Sequence, residues 1–285
     1  MNRVAVVVVA HDSGPLLAQC VLRVLADPAC AELIVVDNDS DDGSLQAVRA
    51  IADVRVRIEC LGCNAGFAVA CNHGANATAA PWLAFLNPDA LVEPDSFSRL
   101  LLIAANDASI GLLGADVRGR DGAREAAARR RDPSLGRMLA TQIARLPGCA
   151  GWSERGLEIA PRDEPLSEVD ACSGALMLLP RAVFERAGGF DPGYFLHAED
   201  LDLCRRVRGV GRRVLVANQV AVTHVQGSSS RARPFFVIWH KHRSLWRYFS
   251  KHEGVRIISP RGACLLVLLA SRVAVQSLLT PFRRR

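Results

Sequence analysis

The sequence predicts an α/β fold, a mostly parallel twisted sheet flanked by helices and followed by a C-terminal helical extension. Three observations carry this. Val4 to Ala10 is a continuous apolar run rich in β-branched residues, which suits a central parallel strand covered on both faces. Strand-like and helix-like stretches then alternate, β-α-β-α-β-α-β, as far as Leu86, and right-handed crossovers wind that order into a parallel sheet. Each strand-like run also stops at a polar cluster, and open sheets of this kind place ligands outside the carboxyl ends of their strands.

In chain order, the first strand ends at His11-Asp12-Ser13-Gly14-Pro15, where a proline opens a helix with Leu16, Leu17, Cys20, Val21 and Val24 facing inward. Leu33 to Val36 forms the second strand, ending in the acidic run Asp37 to Asp42. A helix to about Ala52 leads to a third strand, Val54 to Cys60. That strand runs into Gly62-Cys63-Asn64-Ala65-Gly66-Phe67-Ala68 and a helix of small residues to Thr78. Pro81 to Leu86 is the fourth strand and stops at Asn87-Pro88-Asp89. A helix from Pro94 to Asn106, a strand from Ile110 to Val117 and a charged excursion over 118–168 follow. In that excursion a weak helical pattern spans Met138 to Leu146, and Arg129, Arg130 and Arg131 read as a solvated face first and as a diphosphate contact second.

Composition narrows the function. Half of the 285 residues are apolar and 22% are charged, which excludes a disordered chain. The net charge of +6 rests almost wholly on arginine, since Lys241 and Lys251 are the only lysines. Such an excess suits phosphate-bearing substrates or an anionic membrane face, whereas no basic run interleaved with aromatics points to nucleic acid. Cys60 and Cys63 have no second pair to complete a zinc site, and the nine cysteines read mainly as buried small hydrophobes of a reducing compartment. Val4 to Ala10 is too short for a signal peptide, so the expected location is the cytoplasm.

At the strand ends, Asp37 and Asp39 can accept hydrogen bonds from a base or ribose, or can form a solvated turn. Gly62 and Gly66 let backbone approach a ligand and free a helix N-terminus. Asp89 offers a hard oxygen for Mg²⁺ or Mn²⁺, ions held by one or two carboxylates plus substrate phosphates, or else it caps a turn. A dinucleotide fingerprint and a P-loop are both missing from this sequence.

Together, the ends at Ala10-His11-Asp12, Asp37-Asn38-Asp39, Asn64-Ala65-Gly66-Phe67 with Asn72, and Asn87-Pro88-Asp89-Ala90 resemble the family-2 glycosyltransferases of the GT-A, Rossmann-like fold, most closely the bacterial rhamnosyltransferase-like branch. The resemblance covers about residues 3 to 250. It implies that Ala10, His11, Asp37, Asn38, Asp39, Asn64, Gly66, Phe67, Asn72 and Asn87 bind the nucleotide-sugar, and that Asp89 carries the metal motif. Asn87 stands where the family has an aspartate. On this reading 1–117 is the nucleotide-sugar half, 118–168 a variable excursion, 169–232 the acceptor and catalytic half, and 233–285 a set of C-terminal helices.

In the acceptor half, Pro180 opens a short helix stopped by Gly188-Gly189, and Glu199 and Asp200 occupy the first turn of the next helix, where the dipole favours their ionised forms. They can be caps or catalysts. Asp202 and Arg206, four apart, predict a surface pair of about 0.2–0.5 kcal/mol. The resemblance implies that Asp200 is the general base with Glu199 beside it, that Ser173, Gly174, Phe190 and Asp191 bind the acceptor, that His224 joins Asp89 at the metal and that Arg243 reaches phosphate. Its activity would be inverting transfer of a sugar, rhamnose first, from a dTDP- or UDP-sugar to a saccharide or polyprenyl-linked acceptor. A metal-dependent nucleotidyltransferase or phosphohydrolase, and a silent nucleotide-sugar-binding subunit, are the rival readings. The apolar stretch from Ala263 to Thr280, with Arg283 to Arg285 behind it, reads as an interfacial helix on the inner membrane face, or as a docking helix.

Overall fold

The computed structural model describes residues 3–144, 146–161, 163–225, 234–256 and 258–279. Four parallel strands come first: β1 (Val4–Ala10), β2 (Cys30–Asp37), β3 (Val56–Cys60) and β4 (Trp82–Leu86), spatially ordered β3-β2-β1-β4. Their crossovers are α1 (Leu16–Leu25), α2 (Ser44–Arg49) and α3 (Phe67–Asn76). Every residue of β1 is buried: Ala5, Val7 and Val9 face one core, and Val4, Val6, Val8 and Ala10 the other. The unbroken apolar run therefore meets its expected environment. The predicted inward positions of α1 are also its buried ones.

Beyond β4 the sheet changes character. β5 (Ala90–Val92), α4 (Ser96–Asn106) and β6 (Ile110–Arg118) are followed by the short β7 (Arg129–Arg130), α5 (Leu135–Ile143), β8 (Leu166–Glu168) and β9 (Ala171–Cys172). Then come β10 (Leu176–Pro180), α6 (Arg181–Arg186), α7 (Glu199–Gly209) and β11 (Arg213–His224). β10 lies antiparallel between β4 and β6, β11 runs parallel to β6, and β5 closes the edge antiparallel to β11. β11 carries a bulge between Ala217 and Ala221 and ends at His224. The small strand β5 has no signal in the sequence. It is created by its pairing with β11.

The segment 118–168 does not carry a solvated arginine face. Arg129 is 1% exposed and bonds Asp116, itself fully buried, at 2.7 Å and Asn218 at 3.0 Å. Asp116 also accepts from Arg118 and Arg124. Arg130 pairs with Asp200, and Arg131 donates to the carbonyls of Gly156 and Glu158. Each guanidinium has a fixed acceptor, which is why the run folds inward.

The helices α8 (Pro234–Glu253) and α9 (Pro260–Leu279) complete the fold. Leu265 and Leu269 of α9 pack with Met138, Phe249 and Val255, while Leu266 and Val267 are exposed. The first turns of α9 thus dock on the domain. Among the described residues no helix is long and apolar enough to cross a membrane. Arg283 to Arg285 lie outside the described residues.

Asp116→Ala removes the carboxylate from a cluster that includes a fully enclosed guanidinium. Stranding Arg129 in this way is expected to cost about 3–5 kcal/mol, read as a lower midpoint in urea unfolding with an unchanged slope.

Candidate active site

The first part of the site is a scaffold of backbone-bonded asparagines at the strand ends. Asn38 takes its N–H to the Ala10 carbonyl (2.8 Å), donates its amide to Asn64 Oδ1 (3.0 Å) and accepts from the Ala65 N–H (2.9 Å). Asn64 in turn accepts from the Gly66 N–H. Asn72 clamps the Phe190 backbone on both sides, at 2.8 and 2.9 Å. Asn38 and Asn72 hold loops in place. Gly66, at φ +88°, leads into α3, and a Cβ there would come within 2.8 Å of the Phe195 carbonyl, which accepts from the Phe67 N–H. Asp37 accepts from the Ser40 N–H, and Asp39 is exposed in a left-handed conformation. His11 is half-buried beside them. These groups line the ends of β1, β2 and β3 as the sequence places them.

The second part gathers on the turn after β4. His224 Nε2 lies 3.2 Å from Asp89 Oδ1 and 3.4 Å from the Asn87 amide, and its Nδ1 lies 3.2 Å from Glu125 Oε1. Burial opposes charge on this ring, but the two carboxylates outweigh it and hold its pKa up at about 9. Asp89 and His224 therefore converge, as expected. Glu125, from the excursion, is a member that no motif announced. Because the two carboxylates address opposite edges of the imidazole, they do not share a focus. Among the described residues no group of three or more His, Cys, Asp or Glu side chains is arranged around a cation. A two-donor site does match Mg²⁺ or Mn²⁺, which fill their remaining positions with water and substrate phosphate.

The third part is the mouth of α7. His197 and Ala198 both adopt left-handed φ, 67° and 65°, immediately before Glu199. Such conformations cost of order 1–3 kcal/mol each and persist where surrounding structure fixes them. Asp200 Oδ1 accepts from the Leu201 N–H (2.8 Å), and its Oδ2 accepts from the Gly174 N–H (3.3 Å) and from Arg130. A carboxylate has about four lone-pair sites, so one remains for a guest hydroxyl. The Ser173–Ala175 turn also reaches the second part, since the Ala175 carbonyl accepts from the Asn87 N–H at 3.0 Å.

Glu199 differs from its neighbour. Its Oε2 is buried without a partner, and burial, then the charge of Asp200, push its carboxyl up to about 8. At neutral pH it holds its proton. Burial and then the charge of Lys241 push His197 down to about 4, so that ring is neutral.

Three expectations change here. Phe190 is wholly buried in an aromatic cluster with Phe67, Phe85 and Phe184, so its ring has no surface for an acceptor. Asp191 binds Arg247 (2.8 Å) and Lys251 (2.7 Å), which engages its carboxylate with α8. Asp202 is not a surface partner of Arg206. It is fully buried and receives Arg206, Lys251 and His252, each at 2.7 Å. Arg243 is exposed on α8.

This architecture is that of the GT-A fold. A mannosyltransferase from Pyrobaculum calidifontis, PcManGT, solved with GDP-Man and Mn²⁺, superposes with a TM-score of 0.62 at 18% identity, covering 97% of this chain and 75% of that one. GalNAc-T7, solved with UDP, GalNAc and Mn²⁺, gives 0.61 at 17% identity over 97% of this chain and 57% of that one. The chain belongs to the family described as glycosyltransferase like family 2, which matches residues 2–246, and it is an inverting glycosyltransferase. The N-acetylglucosaminyl-diphospho-decaprenol L-rhamnosyltransferase of Mycobacterium tuberculosis is 29% identical over 268 residues, covering 87% of this chain and 85% of the relative. The rhamnosyltransferase WbbL of Escherichia coli K12 is 36% identical over 97 residues, a third of each chain.

The raised Glu199 carboxyl gives a pH test. Between the ordinary value of 4.5 and about 8, the folded state keeps a proton that the unfolded state has released. This group's contribution is therefore complete below 4.5 and is lost as pH rises to 8. Glu199→Gln, which mimics the protonated acid, should melt progressively higher relative to the parent protein as pH climbs from 5 to 9. A melting difference that stays flat across that range would contradict the assignment.

Proposed function

We propose that this chain transfers a rhamnosyl group from a nucleoside-diphospho-rhamnose to a hydroxyl of a saccharide carried on a polyprenyl diphosphate, in the synthesis of a cell-surface or cell-wall polysaccharide. dTDP-rhamnose is the first donor and UDP-sugars are the next. The relative named for L-rhamnosyl transfer to N-acetylglucosaminyl-diphospho-decaprenol supports both the sugar and the acceptor class. A lipid-linked acceptor would bring the protein to a membrane, for which we take the inner face, and the apolar residues exposed on α9 suit such a surface.

The observation that carries the reaction is the Ser173–Ala175 turn, whose successive backbone groups bond Asp200 and Asn87. It sets the base beside the turn that bears Asp89, so both can act on one glycosidic phosphate ester. Asp200 takes the proton of the acceptor hydroxyl as that oxygen bonds to the anomeric carbon. The bond from that carbon to the diphosphate oxygen breaks in the same displacement, on the opposite face, and the configuration inverts. Asp89 and His224 would hold Mg²⁺ or Mn²⁺, with Asn87 beside them. When bound, the ion supplies positive charge against the departing diphosphate. Arg130 keeps the Asp200 carboxylate fixed and, with Leu201 and Gly174, aims its remaining lone pair. Ser173 sits in the turn on the acceptor side.

Labelled dTDP-rhamnose and UDP-sugars, incubated with Mn²⁺ and a polyprenyl-diphospho-N-acetylglucosamine, should yield label on the lipid. Release of only sugar phosphate or pyrophosphate would defeat the proposal. Asp200→Asn should lower kcat about 10²–10⁴-fold while the nucleotide still raises the melting point. Unimpaired turnover in that variant would remove Asp200 from the role.

A further inference from the structure

We propose that Glu125 is a positioning residue of the cation site, holding the ring of His224 so that Nε2 faces the cation position beside Asp89. The inference rests on the reading that Asp89 and His224 bind a divalent cation. Glu125 Oε1 stands 3.2 Å from His224 Nδ1, and Asp89 Oδ1 stands 3.2 Å from Nε2, on the other edge of the ring. A carboxylate at Nδ1 retains the proton there, which leaves Nε2 as the metal-facing nitrogen and raises its basicity.

Glu125 is itself held in position. Its N–H donates to the Val117 carbonyl (2.8 Å), and its own carbonyl accepts from Ala128 (3.0 Å). An isolated bridge between Arg118 and Arg124 closes the hairpin that leads into it. The side chain is as shielded as that of Asp89, and its only ion pair among the described residues is with His224. With a divalent cation and a neutral imidazole in place, Asp89 and Glu125 bring the group to zero net charge. The segment 118–168 thereby supplies part of the donor site.

The test uses the full-length protein, with Mn²⁺ as the probe and dTDP present. Free aqueous Mn²⁺ is followed by EPR, and the nitrogen coupling of a bound imidazole by pulsed EPR. Glu125→Ala should weaken Mn²⁺ binding about 10–100-fold and diminish the nitrogen coupling. Glu125→Met fills the volume without accepting a bond and should behave like Ala, whereas Glu125→Gln, whose amide oxygen still accepts from Nδ1–H, should restore most of the affinity and the coupling. Ala and Met variants that bind Mn²⁺ as the parent does, while Asp89→Asn binds weakly, would overturn the role of Glu125 alone. If Asp89→Asn and His224→Ala also bind Mn²⁺ unchanged, the cation reading itself falls.

Discussion

The Gly174 N–H donates to the carboxylate of Asp200, and the next carbonyl, that of Ala175, accepts the N–H of Asn87. Both bonds exist because β10 enters the sheet antiparallel between β4 and β6, so that the turn before it arrives at the carboxyl end of β4. A wholly parallel sheet would bring a strand's start, not a β9–β10 turn, to the opposite rim. The reversal of one strand thus joins the rim built from the crossovers to the mouth of α7. Sliding β10 by one residue would exchange its two faces and move the turn away from both partners.

Arginine, rather than lysine, is the connecting residue throughout. Arg181 reaches the carbonyls of Ala75, Thr78 and Ala80, Arg206 those of Ala187 and Gly189, and Arg208 grips both oxygens of Asp132. Such planar, multiply donating contacts suit a guanidinium and not an ammonium. The two lysines do not fill such places, and Lys251 serves as a compact charge between Asp191 and Asp202. Much of the arginine excess is therefore structural. That accounts for a basic composition without invoking a basic surface for nucleic acid.

Elements whose pattern is local were readable from the sequence. The apolar run of β1, the 3.6-residue spacing of α1 and the polar strand ends state their roles in consecutive residues. The closeness of Asp89 and His224 and the acidic mouth of α7 at Glu199 and Asp200 followed from the family's motifs. What escaped depends on partners far along the chain. Glu125 meets His224 across 99 positions, and Arg130 meets Asp200 across 70. In sequence both lie in a charged stretch that resembles any solvated face, and only the fold brings a counter-charge to them. Asp202 and Arg206 were correctly paired by spacing but placed on the wrong side of α7, because Lys251 and His252, which bury them, come from α8. Asn38 at the end of β2 and Asn72 within α3 each order a loop, and spacing does not separate an asparagine that orders a loop from one that touches a ligand.

The seating of α7 on Asp202 bears on when during synthesis the site can form. Emergence from the ribosome runs from the N-terminus, so β1 to β4 and their crossovers are available early and can pair among themselves. The buried carboxylate of Asp202 then has Arg206 and the Tyr194 hydroxyl beside it, but not Lys251 and His252, which leave the exit tunnel some fifty positions later. A nascent chain halted before α8 would carry β1 to β4 but would have to enclose an under-compensated charge to seat Glu199 and Asp200. Seating of the α7 mouth thereby waits for α8, which follows it by some thirty to fifty positions in the chain.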